Sequence, residues 1–217
     1  MSENAQYDAQ GNEIVQLDSL LPSVLSRVSA IPYTLAVNML RLKYNEFARK
    51  TGCVRQTLHI ETQKDVARYP LPIPEGYFLH SVRSIDFGRF GGFNRLPDHW
   101  RQWNGHYRGR RTYIDDSDAL VLGIAPRQDE NHDIHVRVQL VPRSDIDWLP
   151  AEIANMYGDA IGAGVAGEAM NIRGKPWYDP GNSVRVLRIY YAAINDACAN
   201  AARDKMSTLY MRAHRWI

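Results

Sequence analysis

The chain has 217 residues, and its 26 lysines and arginines nearly balance 24 aspartates and glutamates, which leaves a net charge of +2. So small a charge excludes a global bias towards nucleic acids or anionic membranes, and no apolar run approaches the ~20 residues that a membrane span needs. The two cysteines, Cys53 and Cys198, are far apart and form no Cys-x-x-Cys pair, which favours a reducing, cytosolic environment for assembly.

Residues 1–18 are dominated by serine, asparagine, glutamine, aspartate and glycine. They lack the basic and apolar regions of a signal peptide. We expect a flexible N-terminal arm that becomes ordered only against a partner.

Two helices are predicted after this arm. The first is short and starts near Ser19, with Pro22 in its first turn. The second opens at Pro32 and runs to Thr51, with apolar side chains at helical spacing. Gly52 is its natural stop, because glycine readily adopts the left-handed conformation that ends many helices.

A β-rich insertion is predicted for residues 54–145, where apolar and polar residues alternate. Strands are predicted over 58–63, 78–87 and 134–140, and a hairpin over 111–124. The proline-rich segment 69–76 is expected at a sheet edge and in a turn, because proline cannot donate a hydrogen bond to a central ladder.

Residues 88–109 form a long irregular loop in this insertion, in which aromatic residues are interleaved with arginines. Loops of this length are usually functional or disordered, and aromatics at this density argue against disorder. The candidate site residues of the loop and its C-terminal flank are Phe93, Trp100, Arg101, Trp103, Tyr107, Arg108 and Arg110.

Two functions fit these loop residues. Arginines and aromatics bind phosphates and stack on bases, but they are also the preferred anchors of protein interfaces. The small net charge and the absence of a nucleic-acid fold signature favour a protein interface. Nucleic-acid binding through residues 88–111 is the alternative.

The last third of the chain is predicted to return to helix. Residues 151–170 contain Gly158, Gly162 and Gly164, and each interior glycine costs up to ~1 kcal/mol relative to alanine. Such glycines are tolerated where another element approaches the backbone closely, either within the chain or from a neighbouring subunit.

A corner over residues 173–180 separates this helix from the last one. Gly174 permits the positive φ that closes a helix, and Trp177 supplies an apolar anchor. Asp179 and the proline after it are typical of a helix start. The last helix is predicted over residues 181–205. Its apolar seam is expected at Val184, Leu187, Tyr191, Ile194, Cys198 and Ala201.

The order of elements is therefore two helices, a β insertion and two helices. We expect an α+β fold with extended terminal arms, in which residues 19–53 and 146–205 form a four-helix bundle. Residues 54–145 are expected to form a β-sheet or a β-barrel-like insertion, and residues 206–217 a C-terminal tail.

No pattern indicates catalysis or a cofactor. The Walker A, Rossmann, Gly-x-Ser-x-Gly and His-Glu-x-x-His motifs are absent. His132 and His135, near Asp129 and Glu130, lack the three or four convergent ligands of a zinc site, and the acidic residues at 115–118 lack the spacing of a calcium loop. We expect a protein that is not an enzyme, with no catalytic residue, no metal and no cofactor.

Several short motifs follow one another along nearly the whole chain. They are Leu20-Leu21-Pro22, Phe47-Ala48-Arg49, Tyr69-Pro70-Leu71-Pro72, Pro74-Glu75-Gly76-Tyr77, Leu140-Val141-Pro142, Leu149-Pro150, Tyr157-Gly158-Asp159-Ala160-Ile161, Gly174-Lys175-Pro176-Trp177 and Asp179-Pro180. In their order and spacing the chain resembles the head-to-tail adaptor proteins of tailed bacteriophages, in particular the tail tubular protein A-like adaptors of short-tailed phages. The loop at 88–109 has no counterpart in that pattern.

The resemblance implies a structural virion protein. Such adaptors form a homo-oligomeric ring, commonly dodecameric, between the portal protein and the tail nozzle or tube. The ring lies in the neck of a virion assembled in the host cytoplasm, and it extends the channel through which genomic DNA passes. The C-terminal tail is implied to insert between portal subunits through Leu209, Tyr210, Met211, Arg212, Arg215, Trp216 and Ile217.

Overall fold

The computed structural model describes residues 6–7, 13–86, 94–95, 112–116, 119–122 and 133–213. The chain divides by its internal contacts into two compact units. The helical unit comprises Met1–Val54 and Pro142–Ile217, and the β unit comprises Arg55–Val141.

The helices belong to the helical unit. They are a 3-10 helix (Leu17–Leu20) and the α-helices α1 (Leu21–Leu25), α2 (Tyr33–Thr51), α3 (Ala151–Ala169) and α4 (Pro180–Ala213). None of the described helices combines the length and the apolar character that a membrane crossing requires.

The described strands are short. They are β1 (Gln6–Tyr7), β2 (Glu13–Gln16), β3 (Arg55–Glu61), β4 (Arg68–Pro70), β5 (Tyr77–Asp86), β6 (Asn94–Arg95), β7 (Thr112–Asp116), β8 (Ala119–Leu122), β9 (Asp133–Pro142) and β10 (Trp148–Pro150). Three small sheets result, with the strand orders β1-β2-β10, β3-β9-β5 and β4-β8-β7-β6.

Local sequence sets both ends of α2. Pro32 is extended, with φ −62° and ψ 138°, and directly precedes the helix. At the other end Gly52 has a φ of 60°, and its N–H donates to the carbonyl oxygen of Ala48 at 2.8 Å. Glycine adopts this left-handed conformation without a steric penalty. The predicted start and stop of this helix are confirmed.

The corner between α3 and α4 also has the predicted backbone geometry. Gly174 has a φ of 75°. The N–H of Asp179 donates to the carbonyl oxygen of Met170 at 2.9 Å, and the N–H of Asn182 donates to Asp179 Oδ1 at 3.0 Å. The Asp179 side chain thus satisfies an amide in the first turn of α4, as a capping residue does.

The predicted four-helix bundle is wrong. The fold is α+β, but α1 has only 5 residues, and the β1-β2-β10 sheet belongs to the helical unit as well. α3 contacts α1, α2 and α4, and most of its residues are buried. The other elements therefore pack on several sides of α3, while Glu152, Asn155, Met156, Asp159 and Glu168 stay exposed.

The prediction of extended terminal arms is also wrong. Residues 13–16 form β2, which pairs with β10, and Leu17 is 1% exposed. The N–H of Leu17 donates to the carbonyl oxygen of Asp147 at 2.7 Å. The apolar residues at the end of an otherwise polar segment explain this docking. At the other terminus, α4 continues to Ala213, beyond the predicted end at residue 205.

α4 buries a different stripe from the predicted one. The buried residues are Ser183, Val186, Tyr190, Ile194, Ala197 and Ala201. Val184 and Tyr191, expected in the seam, are 56% and 48% exposed. Ser183 faces α3 instead, and its hydroxyl donates to the carbonyl oxygen of Gly167 at 2.7 Å. A pattern of apolar residues cannot indicate such a satisfied buried hydroxyl.

In β3 and in most of β9, apolar and polar residues of the β3-β9-β5 sheet alternate between its two sides. In β9 the even-numbered residues from 134 to 140 are buried, whereas Arg137 is exposed and His135 half-buried. β3 pairs antiparallel with β9, with Leu58 opposite Val136 and His59 opposite His135. This alternation is the predicted one. Two small sheets, however, replace the single sheet or barrel-like insertion that we expected.

The second sheet of the β unit contains two predicted features. β4 lies at its edge, as expected for a proline-containing strand. β7 and β8 pair antiparallel, with Ile114 opposite Val121, so the predicted hairpin is confirmed. β6 pairs with β7 in parallel. Apart from β6, the predicted loop over 88–109 lies outside the described residues.

A methyl group at residue 162 tests how closely α1 approaches α3. A Cβ there would lie 1.7 Å from Ser23 Oγ and 2.9 Å from Ser23 Cβ, so α1 would have to move. We expect Gly162→Ala to lower the free energy of unfolding by about 1–3 kcal/mol, the usual cost of overpacking. Urea denaturation followed by circular dichroism measures the change.

Gly181→Ala is the matched control. The new Cβ would meet Asp179 Oδ1 at 3.6 Å, an ordinary van der Waals contact. Because alanine favours helix over glycine, we expect this variant to be as stable as the parent chain or more stable. Equal losses in the two variants would contradict the close approach of α1.

Candidate functional site

Many of the predicted site residues lie outside the described residues. These are Phe93, Trp100, Arg101, Trp103, Tyr107, Arg108, Arg110, Arg215, Trp216 and Ile217. Residues 209–212, predicted to bind the portal, form part of the C-terminal end of α4. The predicted portal-binding segment therefore begins as helix.

Four glycines of α3 receive side chains from the elements around it. A Cβ built on each would lie between 1.7 and 2.7 Å from the nearest atom of its neighbour, far closer than real contacts. The pairs are Gly158 with Leu20, Gly162 with Ser23, Gly164 with Tyr190 and Gly167 with Leu187. The first two pairs face the 3-10 helix and α1, and the last two face α4.

Trp177 lies half-buried in the corner between α3 and α4. Its indole Nε1 is buried and has no hydrogen-bond partner among the described residues. An unpaired buried donor costs about 1–3 kcal/mol. Trp177 therefore places a buried, unsatisfied N–H in this corner.

A buried lysine joins α2, α3 and α4. Lys43 of α2 is 3% exposed, and its Nζ lies 2.5 Å from Glu46 Oε2 and in ion-pair contact with Glu168 of α3. The same Nζ lies 5.0 Å from the ring centroid of Tyr190 of α4. The Tyr190 hydroxyl donates to the Lys43 carbonyl oxygen at 3.4 Å. We call these four residues the Lys43 cluster.

The charges of the Lys43 cluster support one another. Burial lowers the pKa of Lys43, but the hydrogen bonds and charges of Glu168 and Glu46 outweigh it and raise the pKa above its ordinary value of 10.5. Burial raises the pKa of Glu46, but Lys43 and Lys50 outweigh it and lower the pKa below 4.5. Burial, followed by the two carboxylates, raises the pKa of Tyr190. At neutral pH the lysine and Glu46 are charged, and Tyr190 is protonated.

The directions of these pKa shifts argue for a role in packing rather than in catalysis. A lysine that acts as a base or nucleophile needs a lowered pKa, and that of Lys43 is raised. Our sequence analysis missed Lys43. One signal was present, because Lys43 lies three residues after Leu40 and four before Phe47, on the apolar side of α2. Its partner Glu168 could not be found, because it lies on a distant segment.

The β unit brings two histidines together. His59 and His135 are directly opposite across β3 and β9, with ring centroids 4.5 Å apart. Among the residues that the structure describes, no group of three or more His, Cys, Asp or Glu is placed to hold a metal ion. His132 lies outside them. Arg137 follows His135 on the same face, and its positive charge opposes the binding of a cation there.

No protein-family model matches the chain, and no curated protein is similar enough to be matched to it. The resemblance to phage adaptors therefore stays a prediction based on the order of the motifs.

Replacement of Lys43 tests the role of the Lys43 cluster. Lys43→Met keeps an apolar stem of similar length but leaves Glu46 and Glu168 without their shared cation. We expect the free energy of unfolding at pH 7 to fall by about 1–3 kcal/mol, because Glu168 loses its ion pair and Glu46 keeps only Lys50. Urea denaturation followed by the helical circular dichroism signal measures it.

The pH dependence of this loss provides a control. The folded-state pKa of Glu46 is lowered, so its contribution to stability is present above 4.5 and disappears as the pH falls through the folded-state pKa. The difference between parent and variant should therefore shrink in acid. Lys175→Met, at an exposed lysine, should leave stability unchanged at both pH values. A loss from Lys43→Met that does not depend on pH would argue against the ion pairs.

Proposed function

We propose that this protein is a structural subunit that assembles with copies of itself, as a head-to-tail adaptor of a tailed bacteriophage. The observation that carries the proposal is an apolar stripe on α4, formed by Val184, Tyr191 and Cys198, which are exposed, and by Leu187, which packs partly against Gly167 of α3. Val184 and Tyr191 are 56% and 48% exposed, Cys198 is exposed and Leu187 is half-buried. Their spacing of three, four and seven residues places them on one side of the helix. We call them the α4 stripe.

The α4 stripe represents apolar area that folding of the single chain leaves in water. Full burial of a side chain of this size contributes about 1.5–3 kcal/mol, so a partner that covers the stripe gains affinity from it. Single exposed apolar residues are normal on any protein. An aligned set beside a buried face is typical of an interaction surface.

Contacts with α2 hold part of the α4 stripe in place. Lys50 Nζ lies 5.8 Å from the Tyr191 ring centroid, and Cys198 Sγ donates to the Lys50 carbonyl oxygen at 3.5 Å. An anchor that is already ordered loses less conformational entropy on binding. Tyr191 is therefore suited to act as a contact in an assembly.

The resemblance to phage head-to-tail adaptors supports a ring as the form of the assembly. Subunits would form a ring on the portal protein, and the α4 stripe would cover apolar surface of the next subunit. The C-terminal residues from Leu209 to Ile217 would dock into the portal. The loop over 88–109 would meet the tail nozzle or tube. The role of such a protein is geometric, because it joins two rings and continues the channel for genomic DNA.

Charges on the α4 stripe test its role in self-assembly. We expect Val184→Glu combined with Tyr191→Glu to prevent ring formation on isolated portal rings, because two carboxylates would be desolvated in the subunit contact. Electron microscopy and light scattering of the mixture measure the assembly. Ala192→Glu with Ala199→Glu is the matched control, since both alanines are exposed on another side of α4. Rings that form equally well with both double variants would remove the stripe from the interface.

Removal of residues 206–217 tests the portal-binding segment separately. Residues 206–213 are the last part of α4, so we expect the shortened chain to lose only their share of the helical circular dichroism signal and to keep its cooperative thermal unfolding. It should fail to bind portal rings in a sedimentation assay. A scrambled segment of the same composition is the control, and it should fail as well. Normal docking of the shortened chain would exclude these residues as the portal contact.

A further inference from the structure

The polar face of the β3-β9-β5 sheet carries three arginines, one on each strand. They are Arg55 of β3, Arg83 of β5 and Arg137 of β9, and we call them the basic face. Arg55 is directly opposite Gln139, and Arg137 is opposite Thr57. Because alternate residues share a face of a strand, His59 and His135 lie on this face as well.

Gln139 orients one of these arginines. Its side chain is 5% exposed, and its Oε1 accepts hydrogen bonds from Arg83 Nε at 2.9 Å and from Ser81 Oγ at 3.3 Å. Arginine has five N–H donors, and the bond to Gln139 uses only the one on Nε. The guanidinium is thus held in place before any ligand binds, with its two terminal nitrogens outside this bond.

Positive charges are close together at this end of the sheet. Burial lowers the pKa of Arg83, and the positive charge of Arg55 lowers it further. The acidic residues of this face, Glu61 and Asp133, are directly opposite each other at the other end of the two strands. They lie six residues along the strands from Arg55, or about 20 Å at the rise of a strand. A phosphate near Arg55 and Arg83 would lower the repulsion between the two guanidinium groups.

We propose that the basic face binds the phosphate backbone of duplex DNA. Adjacent strands are about 4.8 Å apart, so the three arginines span roughly 10 Å across the sheet, which matches an extended row of phosphates better than a single ion. The histidines and Thr57 add polar groups that can contact phosphates or sugars. The proposal concerns the β unit and does not depend on the α4 stripe.

The chemistry of the face favours DNA over an acidic protein. Between Asp133 and Gln139, and along β3, the residues on this side are all polar or charged. On β5, Tyr77 and Ile85 alternate with Arg83 along the strand, but both are buried. Protein partners usually gain their affinity from apolar or aromatic anchors in pockets, and these positions supply none. Phosphate binding requires no such anchor, because it depends on counterion release.

Binding of the full chain to a fluorescein-labelled duplex of about 30 base pairs tests the proposal, with anisotropy measured between about 50 and 200 mM salt. We expect Arg55→Gln, Arg83→Gln and Arg137→Gln together to weaken binding about tenfold or more. The slope of log K against log salt should fall by about 2.7, which is 0.9 for each lost phosphate contact. The double variant Arg55→Gln with Arg137→Gln preserves the hydrogen bond between Arg83 and Gln139. Its slope of log K against log salt should fall by about 1.8.

Two further triple variants provide matched controls. Arg173→Gln, Arg185→Gln and Arg188→Gln remove the same charge from exposed positions of the helical unit, and binding should be nearly unchanged. Arg101→Gln, Arg108→Gln and Arg110→Gln test the loop instead. Equal losses with the helical-unit variant, or a loss with the loop variant alone, would overturn the proposal.

Two other outcomes would also overturn it. One is no binding of the parent chain to the duplex at about 50 mM salt. The other is binding of a poly-glutamate peptide in preference to DNA, which would identify an acidic protein as the partner. Ring formation on portal is unaffected by either outcome, so failure here is distinguishable from failure of the proposed adaptor function.

Discussion

The close approach of neighbouring elements to α3 is the constraint on which the helical unit depends. The 3-10 helix and α1 pack on Gly158 and Gly162, and α4 packs on Gly164 and Gly167. A side chain at any of these positions would force a neighbour away. Because α1 and α4 pack on different glycines of α3, most residues of this helix are buried, and the unit is arranged around α3 rather than as four equivalent helices.

The Lys43 cluster is a consequence of this dense packing. Because α4 packs closely on the glycines of α3, Tyr190 of α4 and Glu168 of α3 both contact Lys43 of α2. A lysine buried there without partners would be strongly destabilising, and the two carboxylates offset that penalty. Buried ion pairs can contribute more to a particular arrangement of elements than to net stability. We infer that the cluster fixes how α2, α3 and α4 meet.

The two candidate surfaces differ in their chemistry. The α4 stripe is apolar, and its contribution to binding would come from the removal of area from water. The basic face of the β unit is polar and cationic, and its contribution would come from charge neutralisation, which weakens as salt rises. Salt therefore separates the two activities experimentally. A protein with both surfaces is suited to join copies of itself while it contacts a polyanion, which agrees with the proposed place beside a DNA channel.

The sequence alone determined the local features: the ends of α2 at Pro32 and Gly52, the corner at Gly174 and Asp179, and the β7–β8 hairpin. Each depends on the backbone preferences of the residues at that site. Tertiary structure decided which side of each helix is buried. The predicted seam of α4 was confirmed at Ile194 and Ala201 but was wrong at Val184 and Tyr191. Ser183 and Tyr190 face α3 instead, where a hydrogen bond and a glycine accommodate them. The Lys43 cluster and the basic face escaped prediction for a related reason, since their members come from segments far apart in the chain and only the packed fold brings them together.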